Sequence, residues 1–405
     1  MAFPEALAAQ VGLSSLRYPS LPAECEFRPP CPGCPRYADS NPPPQALAAL
    51  EALGALSQAP PLEVIGFPGL GYRHRVRLSA RRVKGAVRLG IFEEGTHRLV
   101  PISRCPLHHP VLIDVAAAIE AELQDKNVSA YDEERHVGLV RAVQLVVARQ
   151  GSGQHSGQVQ VTFVVREESA LWPRPGHPFE AVLLGLAARP DVQGVFLNAQ
   201  PERSNTLLGP KFELFRGAPC LEQECGGALN YFPPGAFGQS NPVLHAQVVE
   251  EIASSVPEGS RVVEFHAGVG TIGLALASRE GKLRSLHMNE VNPAGLVGLS
   301  LGLRALGCPP YIGVAPGPAR DHASLVDEAD VVIVDPPRKG LEPELIAALS
   351  GARPLRLIYL SCGLDALVRE AHTFIRAGLM PTRLAACSYF PFTDHVESLV
   401  IFDRA

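Results

Sequence analysis

A thiol and a carboxylate near the carboxyl end of the chain stand where they could take part in chemistry. Cys362 follows the apolar segment Leu357–Ser361, a predicted buried strand, although a cysteine in such a place is usually a small buried hydrophobe. Glu397 follows the aromatic and proline-containing segment Tyr389–Asp394. A thiol that adds to a ring and a carboxylate that removes a proton are the groups that methylation of a pyrimidine at carbon 5 requires.

A glycine-containing turn marks a candidate nucleotide site upstream of this pair. In Val262–Gly273 an apolar strand runs into a Gly-x-Gly turn and an apolar helix, so the backbone can approach a ligand closely. The same pattern also occurs as a tight structural turn. The next predicted strand ends at Glu290, where a carboxylate suits a pair of ribose hydroxyls. The two features together favour a cofactor that contains adenosine.

Asp335 begins a stiff turn at the end of a third predicted strand. It follows the β-branched run Val331–Val334 and precedes Pro336 and Pro337, which lack amide donors and restrict the backbone. An Asp-Pro pair can merely end a strand, but this one lies downstream of the glycine turn. We therefore expect the Asp335 carboxylate to lie beside a ligand at the edge of a sheet.

These residues require a sheet whose strands end at one edge. In residues 233–405 predicted strands alternate with helical segments, which is typical of a doubly wound, mostly parallel sheet with its ligand site at the carboxyl ends of the strands. The buried-strand candidates are Arg261–Phe265, Leu283–Met288, Val331–Val334 and Leu355–Tyr359. We therefore predict an α/β fold with a Rossmann-like domain at residues 233–405.

The chain ahead of this domain has a different pattern. Short alternating or β-branched runs such as Val87–Phe92 and Gln158–Val165 predict an antiparallel, β-rich α+β domain over residues 61–232. We expect one of its helices at Val111–Leu123. Residues 1–60 are rich in proline and alanine and are expected to form an amino-terminal arm.

Three cysteines of this arm, Cys25, Cys31 and Cys34, stand in a segment too rich in proline to form one long helix. The chain has nine cysteines, and an odd count in a reducing compartment favours thiols, metal ligands or nucleophiles over a disulfide framework. The segment is therefore predicted to be a loop that something else holds in place.

Arginines recur at every second residue in Arg73, Arg75 and Arg77, which on a strand would place them on one face. The formal net charge of −5 argues against nucleic-acid binding, but it averages over the whole surface. Two interpretations stay open. The arginines contact nucleic-acid phosphates, or they protect a solvated edge strand.

The chain of 405 residues is long enough for two or three domains. No stretch reaches about 18 uninterrupted apolar residues, and Met1–Gly12 lacks the pattern of a signal peptide. We expect a soluble, cytoplasmic monomer with no membrane partner.

Five ordered motifs resemble the S-adenosylmethionine-dependent 5-methyluridine RNA methyltransferase family, whose members act on ribosomal RNA or on the T-loop of transfer RNA. The motifs are Phe237–Asn241, Glu264–Gly270, Asp335–Gly340, Tyr359–Cys362 and Phe390–Glu397. The resemblance implies that the Rossmann-like domain is a class I methyltransferase domain and that RNA is the substrate.

The resemblance also implies a covalent mechanism. Cys362 would add to carbon 6 of a uracil that has been flipped out of its stack, and Glu397 would remove the proton from carbon 5 after methyl transfer. Five residues would line the pocket for S-adenosylmethionine and the base: Gln239, His266, Thr271, Glu290 and Asp335.

One branch of the family carries a four-cysteine iron–sulfur site, which Cys25, Cys31, Cys34 and Cys105 resemble. Four thiolates suit a 4Fe-4S cluster and would suit tetrahedral zinc as well, and free thiols are a third interpretation. A cluster would have a structural role, because it has no step to perform in methyl transfer. The cysteine set resembles that of members acting on 23S ribosomal RNA, so we expect ribosomal RNA as substrate, with transfer RNA as the alternative.

The chain departs from the family pattern at several positions. His266 stands where Phe or Tyr is usual, Thr271 where Asn is common, and Gly363 where Asn usually follows the nucleophile. An acidic residue expected near the adenine is absent from Val314–Pro318. A noncatalytic iron–sulfur RNA-binding protein would explain these departures. A 5-methylcytidine enzyme is a second rival, but it would carry its thiol where this chain has Arg338.

Overall fold

The computed structural model describes residues 25–37, 39, 41–56, 59–66, 69–148, 157–167, 175–204, 206–351 and 353–405. The segment Met1–Gly12, and the first 24 residues of the predicted arm, lie outside the described residues.

The helices are bounded as follows: α1 Pro44–Ala55, α2 Pro110–Asp125, α3 Pro178–Ala187, α4 Pro242–Ser255, α5 Thr271–Ala277, α6 Pro293–Ala305, α7 Pro343–Leu349 and α8 Leu364–Arg376, with a 3-10 helix at Ala319–Glu328. The strands are β1 Glu63–Gly66, β2 Arg75–Val83, β3 Ala86–Phe92, β4 Leu99–Pro101, β5 Val140–Ala148, β6 Gln158–Val165, β7 Val192–Ala199, β8 Lys211–Gly217, β9 Leu221–Cys225, β10 Ala228–Phe232, β11 Ser260–Phe265, β12 Leu283–Glu290, β13 Ile312–Pro316, β14 Val331–Val334, β15 Arg356–Ser361, β16 Leu379–Ser388 and β17 Glu397–Arg404.

The carboxyl-terminal sheet has the strand order β1-β16-β17-β15-β14-β11-β12-β13. Strands β11 to β15 pair in parallel, and β17 runs antiparallel to both β15 and β16. Every residue of β14 is buried, because separate apolar cores cover the two faces of the sheet. The predicted Rossmann-like, doubly wound architecture is confirmed.

The β-rich domain contains a sheet in the order β4-β3-β2-β5-β6-β7-β8, with α2 and α3 packed against it. The expected helix at Val111–Leu123 is the core of α2, whose bounds are Pro110–Asp125. The strands of this sheet pair antiparallel, as predicted, except for β6 and β7. These two strands pair in parallel, so the prediction of antiparallel strands is wrong there. The crossover helix α3 joins β6 to β7, and such a connection is what parallel pairing needs.

The helix of the arm and the first strand belong to the carboxyl-terminal layer. The strand Glu63–Gly66, which was assigned to the β-rich region, pairs in parallel with Ala385–Ser388 of β16 instead. Helix α1 packs on β16 and α8 because its apolar residues Leu50 and Leu53 enter the core of that domain. The domain boundaries at residues 60 and 232 stay predictions. Helix α1 and strand β1 precede residue 232 in the sequence but pack in the carboxyl-terminal layer.

The hairpin β9–β10 lies between the two sheets. Leu221 and Phe232 pack against Val146 and Ala148 of β5, and β10 also contacts α5 and α6. The chain enters the carboxyl-terminal domain directly after this hairpin, so the segment with Phe237–Asn241 starts at the junction of the two layers. No helix in the described ranges is long and apolar enough to cross a membrane.

Candidate active site

The glycine turn after β11 has the backbone conformation that its sequence predicts. His266, Gly268 and Gly270 have φ angles of 61°, 60° and 86°, in the left-handed region. A Cβ atom at Gly268 would meet none of the described atoms within 4 Å, whereas one at Gly270 would lie 2.4 Å from Leu299 Cδ1. Gly268 therefore leaves open space before the first turn of α5, where a ligand can approach free amide groups.

Glu290 ends β12 and supports this turn. Its carboxylate accepts hydrogen bonds from the backbone amides of Gly268 at 2.6 Å, Val291 at 2.9 Å and Asn292 at 2.5 Å. The carboxylate thereby joins the glycine turn to the loop that follows β12. The predicted contact between Glu290 and ribose hydroxyls would use its remaining lone pairs and stays a prediction.

The other residues expected to bind cofactor and base surround one cavity beside the turn. They are Gln239, His266, Thr271 and Asp335. Glu264, to which the sequence assigned no individual role, lies in the same wall, and its buried Oε2 atom has no hydrogen-bond partner among the described residues. Burial raises the pKa of Glu264 to about 8, with smaller contributions from Asp335 and Glu290. The cavity therefore holds a protonated carboxyl group at neutral pH.

His266, one of the departures from the family pattern, has an acidic neighbour. Its Nε2 atom lies 3.5 Å from Glu342 Oε2, just before α7. Burial lowers the pKa of His266, although the charge of Glu342 raises it. The imidazole is therefore neutral at neutral pH, and this wall of the cavity carries an acid–base pair where the family usually has an aromatic ring.

The pairing of β15 with β17 brings the nucleophile and base candidates together. Ser361 pairs with Ser398 at the end of this antiparallel ladder, so Cys362 and Glu397 are adjacent at one edge of the sheet. Asp335 follows β14, the parallel neighbour of β15 on the other side. Cys362 and Glu397 are 35 positions apart in the sequence, and strand pairing brings them together, as a thiol–carboxylate mechanism requires.

Burial and like charge keep protons on this site. Burial, followed by the nearby Glu397 and Asp335, raises the pKa of the Cys362 thiol to about 11. Burial, followed by Asp335, raises the pKa of Glu397 to about 8, and burial raises that of Asp335 to about 7. At neutral pH the free enzyme therefore holds a thiol and a largely protonated Glu397.

Arg338 is a functional candidate that motif comparison left without a role. Its charge lowers the pKa of both Cys362 and Glu397, which favours the ionised forms that chemistry needs. Its Nη2 atom lies 3.2 Å from His395 Nδ1. The thiol of Cys362 donates a hydrogen bond of 3.7 Å to the carbonyl oxygen of Pro336, in the same turn. The turn after β14 thus contacts Cys362 directly and acts on Glu397 through the charge of Arg338.

Glu370 of α8 holds this turn in place. Its carboxylate accepts hydrogen bonds from the backbone amide of Leu341 at 3.3 Å and from the hydroxyl of Tyr359 at 2.8 Å. A Cβ atom at Gly340 would lie 2.0 Å from Glu370 Oε1, so glycine is required for this approach. No motif singles out Glu370, because its burial depends on how α8 packs.

The four arm and domain cysteines, Cys25, Cys31, Cys34 and Cys105, line a single cavity of about 640 Å³. Burial raises the pKa of the Cys34 thiol to about 11 and also raises those of Cys31 and Cys105. Within the part of the chain that the structure describes, no three His, Cys, Asp or Glu side chains are arranged to hold one metal ion. The cysteines are therefore gathered around a shared space without converging on a point.

The arginine row lines the same cavity. Strand β2 lies between β3 and β5 in the sheet, but residues 75–78 pair only with β5, because the pairing with β3 begins at Ser79. The interpretation of a charged edge therefore stays open beside that of phosphate contact. Arg73 precedes the strand and donates a hydrogen bond of 3.2 Å to the hydroxyl of Tyr72, while Arg75 and Arg77 begin it. All three arginines face the cavity. Arg77 is exposed, and Arg73 and Arg75 are partly buried.

A doubly wound sheet with an open glycine turn after β11 and a thiol–carboxylate pair at the same edge defines a Rossmann-like methyltransferase. Comparison with known proteins narrows this class. The profile of the tRNA (uracil-5-)-methyltransferase family matches residues 325–405. An uncharacterized RNA methyltransferase of Protochlamydia amoebophila is 32% identical over 345 residues, which is 82% of this chain and 86% of the relative. The chain belongs to the S-adenosylmethionine-dependent RNA (uracil-5-)-methyltransferase family.

A second relative and a solved structure are also similar to this chain. An uncharacterized RNA methyltransferase of Gloeobacter violaceus is 30% identical over 369 residues, covering 89% of this chain and 77% of the relative. The crystal structure of Pyrococcus abyssi tRNA (uracil-54, C5)-methyltransferase with S-adenosyl-L-homocysteine has a TM-score of 0.71 and 22% identity, and the match covers 88% of this chain and 83% of that one. The likeness to the Pyrococcus abyssi structure shows that the two chains share a fold.

Proposed function

We propose that the protein transfers a methyl group to carbon 5 of a specific uridine in RNA through a covalent adduct on Cys362, with Glu397 as general base. The observation that carries this proposal is the adjacency of the two side chains at the end of the β15–β17 ladder. A thiol that stood there alone would be interpreted as a small buried hydrophobe. A thiol beside a buried carboxyl group whose pKa is raised to about 8 is suited to proton exchange near neutral pH.

The proposed reaction begins with addition, because carbon 5 of uracil is poorly nucleophilic. The Cys362 thiolate forms a bond to carbon 6, and the displaced electron pair is delocalised as an enolate over carbon 5 and oxygen 4. S-Adenosylmethionine supplies an electrophilic methyl group when bound. Carbon 5 forms the new bond with the enolate electron pair, and the methyl group's bond to the sulfonium breaks.

Elimination then restores the enzyme. The Glu397 carboxylate accepts the proton from carbon 5, the electron pair of that bond forms the ring double bond, and the bond between carbon 6 and Cys362 Sγ breaks. Both Cys362 and Glu397 must therefore release a proton to solvent before they act, and Glu397 releases the proton from carbon 5 to solvent after elimination. The charge of Arg338 favours both ionised forms. Access to carbon 6 requires that the uridine leave its stack.

We propose that Gln239, His266, Thr271 and Asp335 bind the methyl donor and the base, and that Glu290 contacts the ribose. The open space at Gly268 and the shared cavity wall support this assignment. The Pyrococcus abyssi protein, which has the same fold, is described in complex with S-adenosyl-L-homocysteine, the product that such a donor leaves.

We propose that the four-cysteine cavity holds a 4Fe-4S cluster on Cys25, Cys31, Cys34 and Cys105. Its volume of about 640 Å³ is large for a single zinc ion, and four thiols in one wall provide the ligands of a cubane. The arginines in the same wall would offset the negative charge of the thiolates. The proposed role is structural, since a cluster would join the arm to the β-rich domain through Cys105.

We propose ribosomal RNA, in particular 23S ribosomal RNA, as the substrate, on the likeness of the cysteine set alone. A uridine in the T-loop of transfer RNA is the second candidate, because the matched family profile and the Pyrococcus abyssi protein are both named for transfer RNA. The cytoplasmic location and the monomeric state stay predictions.

Mass-spectrometric mapping of 5-methyluridine in ribosomal and transfer RNA, from cells with and without this protein, tests the function. We expect one site of 23S ribosomal RNA to lose its methyl group in the deficient cells. Loss confined to transfer RNA would contradict the substrate assignment. No loss at any site, together with failure of the purified protein to bind labelled S-adenosylmethionine, would favour the noncatalytic RNA-binding rival.

A further inference from the structure

Arg75 is a partly buried cation whose guanidinium has no partner among the described residues. Its Nε atom is enclosed, and its guanidinium makes no hydrogen bond or ion pair with any residue that the structure describes. The neighbouring arginines differ, since Arg73 donates to Tyr72 and Arg77 Nε donates a hydrogen bond of 2.8 Å to Gln144 Oε1. An enclosed nitrogen donor without a hydrogen-bond partner costs free energy, which a contact with a bound anion would recover.

The position of Arg75 indicates what that use is. The side chain lines both the cavity with Gln239 and Asp335 and the larger cavity with the cysteines. Gly238 lies against it, and a Cβ atom there would come within 2.9 Å of Arg75 Nη2. The guanidinium thus stands at the border between the catalytic cavity and the cysteine cavity, with a glycine making room beside it.

The charges on the two sides favour a particular anion. The wall on the catalytic side contains Asp335, whose carboxylate, when ionised, disfavours a second negative group there. The wall on the other side contains Arg28 and Arg77, both exposed, where a polyanion can approach their positive charges. A guanidinium presents donors in a planar fork that matches phosphate oxygens.

We propose that Arg75 binds a backbone phosphate next to the flipped target uridine and so fixes the register of the RNA at the catalytic cavity. Phosphate contacts position a nucleic acid without reading its sequence. In this assignment the three arginines are not equivalent, because Arg73 is committed to Tyr72 and Arg77 to Gln144. The inference rests on an RNA substrate, which family membership supplies, and not on the covalent step.

The test replaces Arg75→Gln in the full-length protein, which removes the charge and keeps a polar side chain. The control is Arg82→Gln, on the same strand, where the exposed guanidinium donates to the carbonyl oxygen of Gly85 at 2.7 Å. We expect Arg75→Gln to weaken binding of a substrate RNA fragment about tenfold and to reduce the slope of log K against log salt by roughly one. Arg82→Gln should change both quantities much less.

Two further measurements separate the possible roles. The affinity for S-adenosylmethionine should be unchanged in Arg75→Gln, and the melting temperature without RNA should not fall, because the guanidinium makes no hydrogen bond or ion pair with the described residues. Arg75→Lys should retain the salt slope while losing part of the affinity, since it keeps the charge without the fork.

Each alternative outcome contradicts the proposal in its own way. Unchanged RNA affinity and salt slope would remove the phosphate contact. Lost affinity for S-adenosylmethionine with normal RNA binding would mean that Arg75 holds the donor's carboxylate. A lower melting temperature with loss of both affinities would show a structural role. Failure of the proposed catalytic function would be seen separately, as absence of methylation and of any covalent RNA adduct in the unmodified protein.

Discussion

The backbone amide of Arg36 donates a hydrogen bond of 3.0 Å to the carbonyl oxygen of Phe392, and this bond joins the cysteine-bearing arm to the loop that leads into Glu397. The Phe392 side chain is buried in a small apolar cluster against which Cys34 and Cys105 pack. Its φ of 68° lies in the left-handed region, which a bulky residue adopts only when its surroundings hold it there. The cysteine site and the proposed base therefore share one packed contact.

Replacing Phe392→Ala should impair the step that needs Glu397 more than the steps before it. The loop would lose its contact with the cysteine site, and the carboxylate would be less well aligned with the proton on carbon 5. We expect turnover to fall about tenfold or more while a covalent, already methylated RNA adduct accumulates. Denaturing electrophoresis of the adduct and mass spectrometry of its base measure this.

Leu123→Ala is the matched control for Phe392→Ala. Leu123 is buried in the core of the β-rich domain and lies outside the small cluster that contains Phe392, so its truncation should cost a similar stability, about 2–5 kcal/mol. This variant should turn over without accumulating adduct. If both variants trap the same amount of adduct, the effect reflects general destabilisation and the link between the arm and Glu397 is wrong.

Anaerobically purified protein should be brown and should contain iron and acid-labile sulfide. Cys105→Ser should lose both, because one of four ligands is removed and the arm is no longer tied to the β-rich domain. Cys308→Ser, at an exposed cysteine outside the cavity, should retain both. Stoichiometric zinc without sulfide in the parent protein would contradict the cluster assignment.

The sequence predicted well those strands whose burial follows from the local pattern of apolar residues. The run Val331–Val334 and the alternating Gln158–Val165 coincide with β14 and β6, because a strand buried on one or both faces must carry apolar residues at fixed intervals. Cys362 and Glu397 were placed together through the resemblance, and the register of β15 with β17 supplies the physical reason.

Features that depend on distant packing were not predictable. The strand Glu63–Gly66 pairs with β16, more than 300 positions away, and its four residues carry no sign of their partner. The burial of Glu370 follows from the placement of α8, and nothing local distinguishes it from an exposed helical glutamate. Likewise, the spacing of the arginines predicted a shared face but not that this face lines the cysteine cavity.

The free energy of unfolding should fall as pH rises from about pH 7 to about pH 8, above the range in which buried histidines such as His108 and His245 contribute in the opposite sense. Burial raises the pKa of Glu264 to about 8, of Asp335 to about 7 and of Glu397 to about 8, all above the values of exposed carboxyl groups. The folded state therefore binds more protons than the unfolded state in this window, which makes the slope negative. Glu264→Gln should flatten the decline in urea unfolding measured across the window. Glu280→Gln, at an exposed position, should leave the slope as it is, and an equal effect of both variants would contradict the role of Glu264.

Cys362→Ala and Glu397→Gln should fail at different points of one reaction, although the two side chains are neighbours. Without the thiol no addition to carbon 6 occurs, so Cys362→Ala should bind RNA but form neither methylated product nor covalent adduct. Glu397→Gln keeps the thiol and loses only the base, so addition and methyl transfer should proceed and elimination should stall, leaving a denaturation-resistant complex that already carries the methyl group. Radiolabel from the methyl donor, followed into the protein–RNA band, distinguishes this complex from an unmethylated adduct. Slow release by water would leave some product and is compatible with the assignment. Normal turnover by Cys362→Ala, or a Glu397→Gln enzyme as fast as the parent, would remove these residues from the roles that their adjacency suggests.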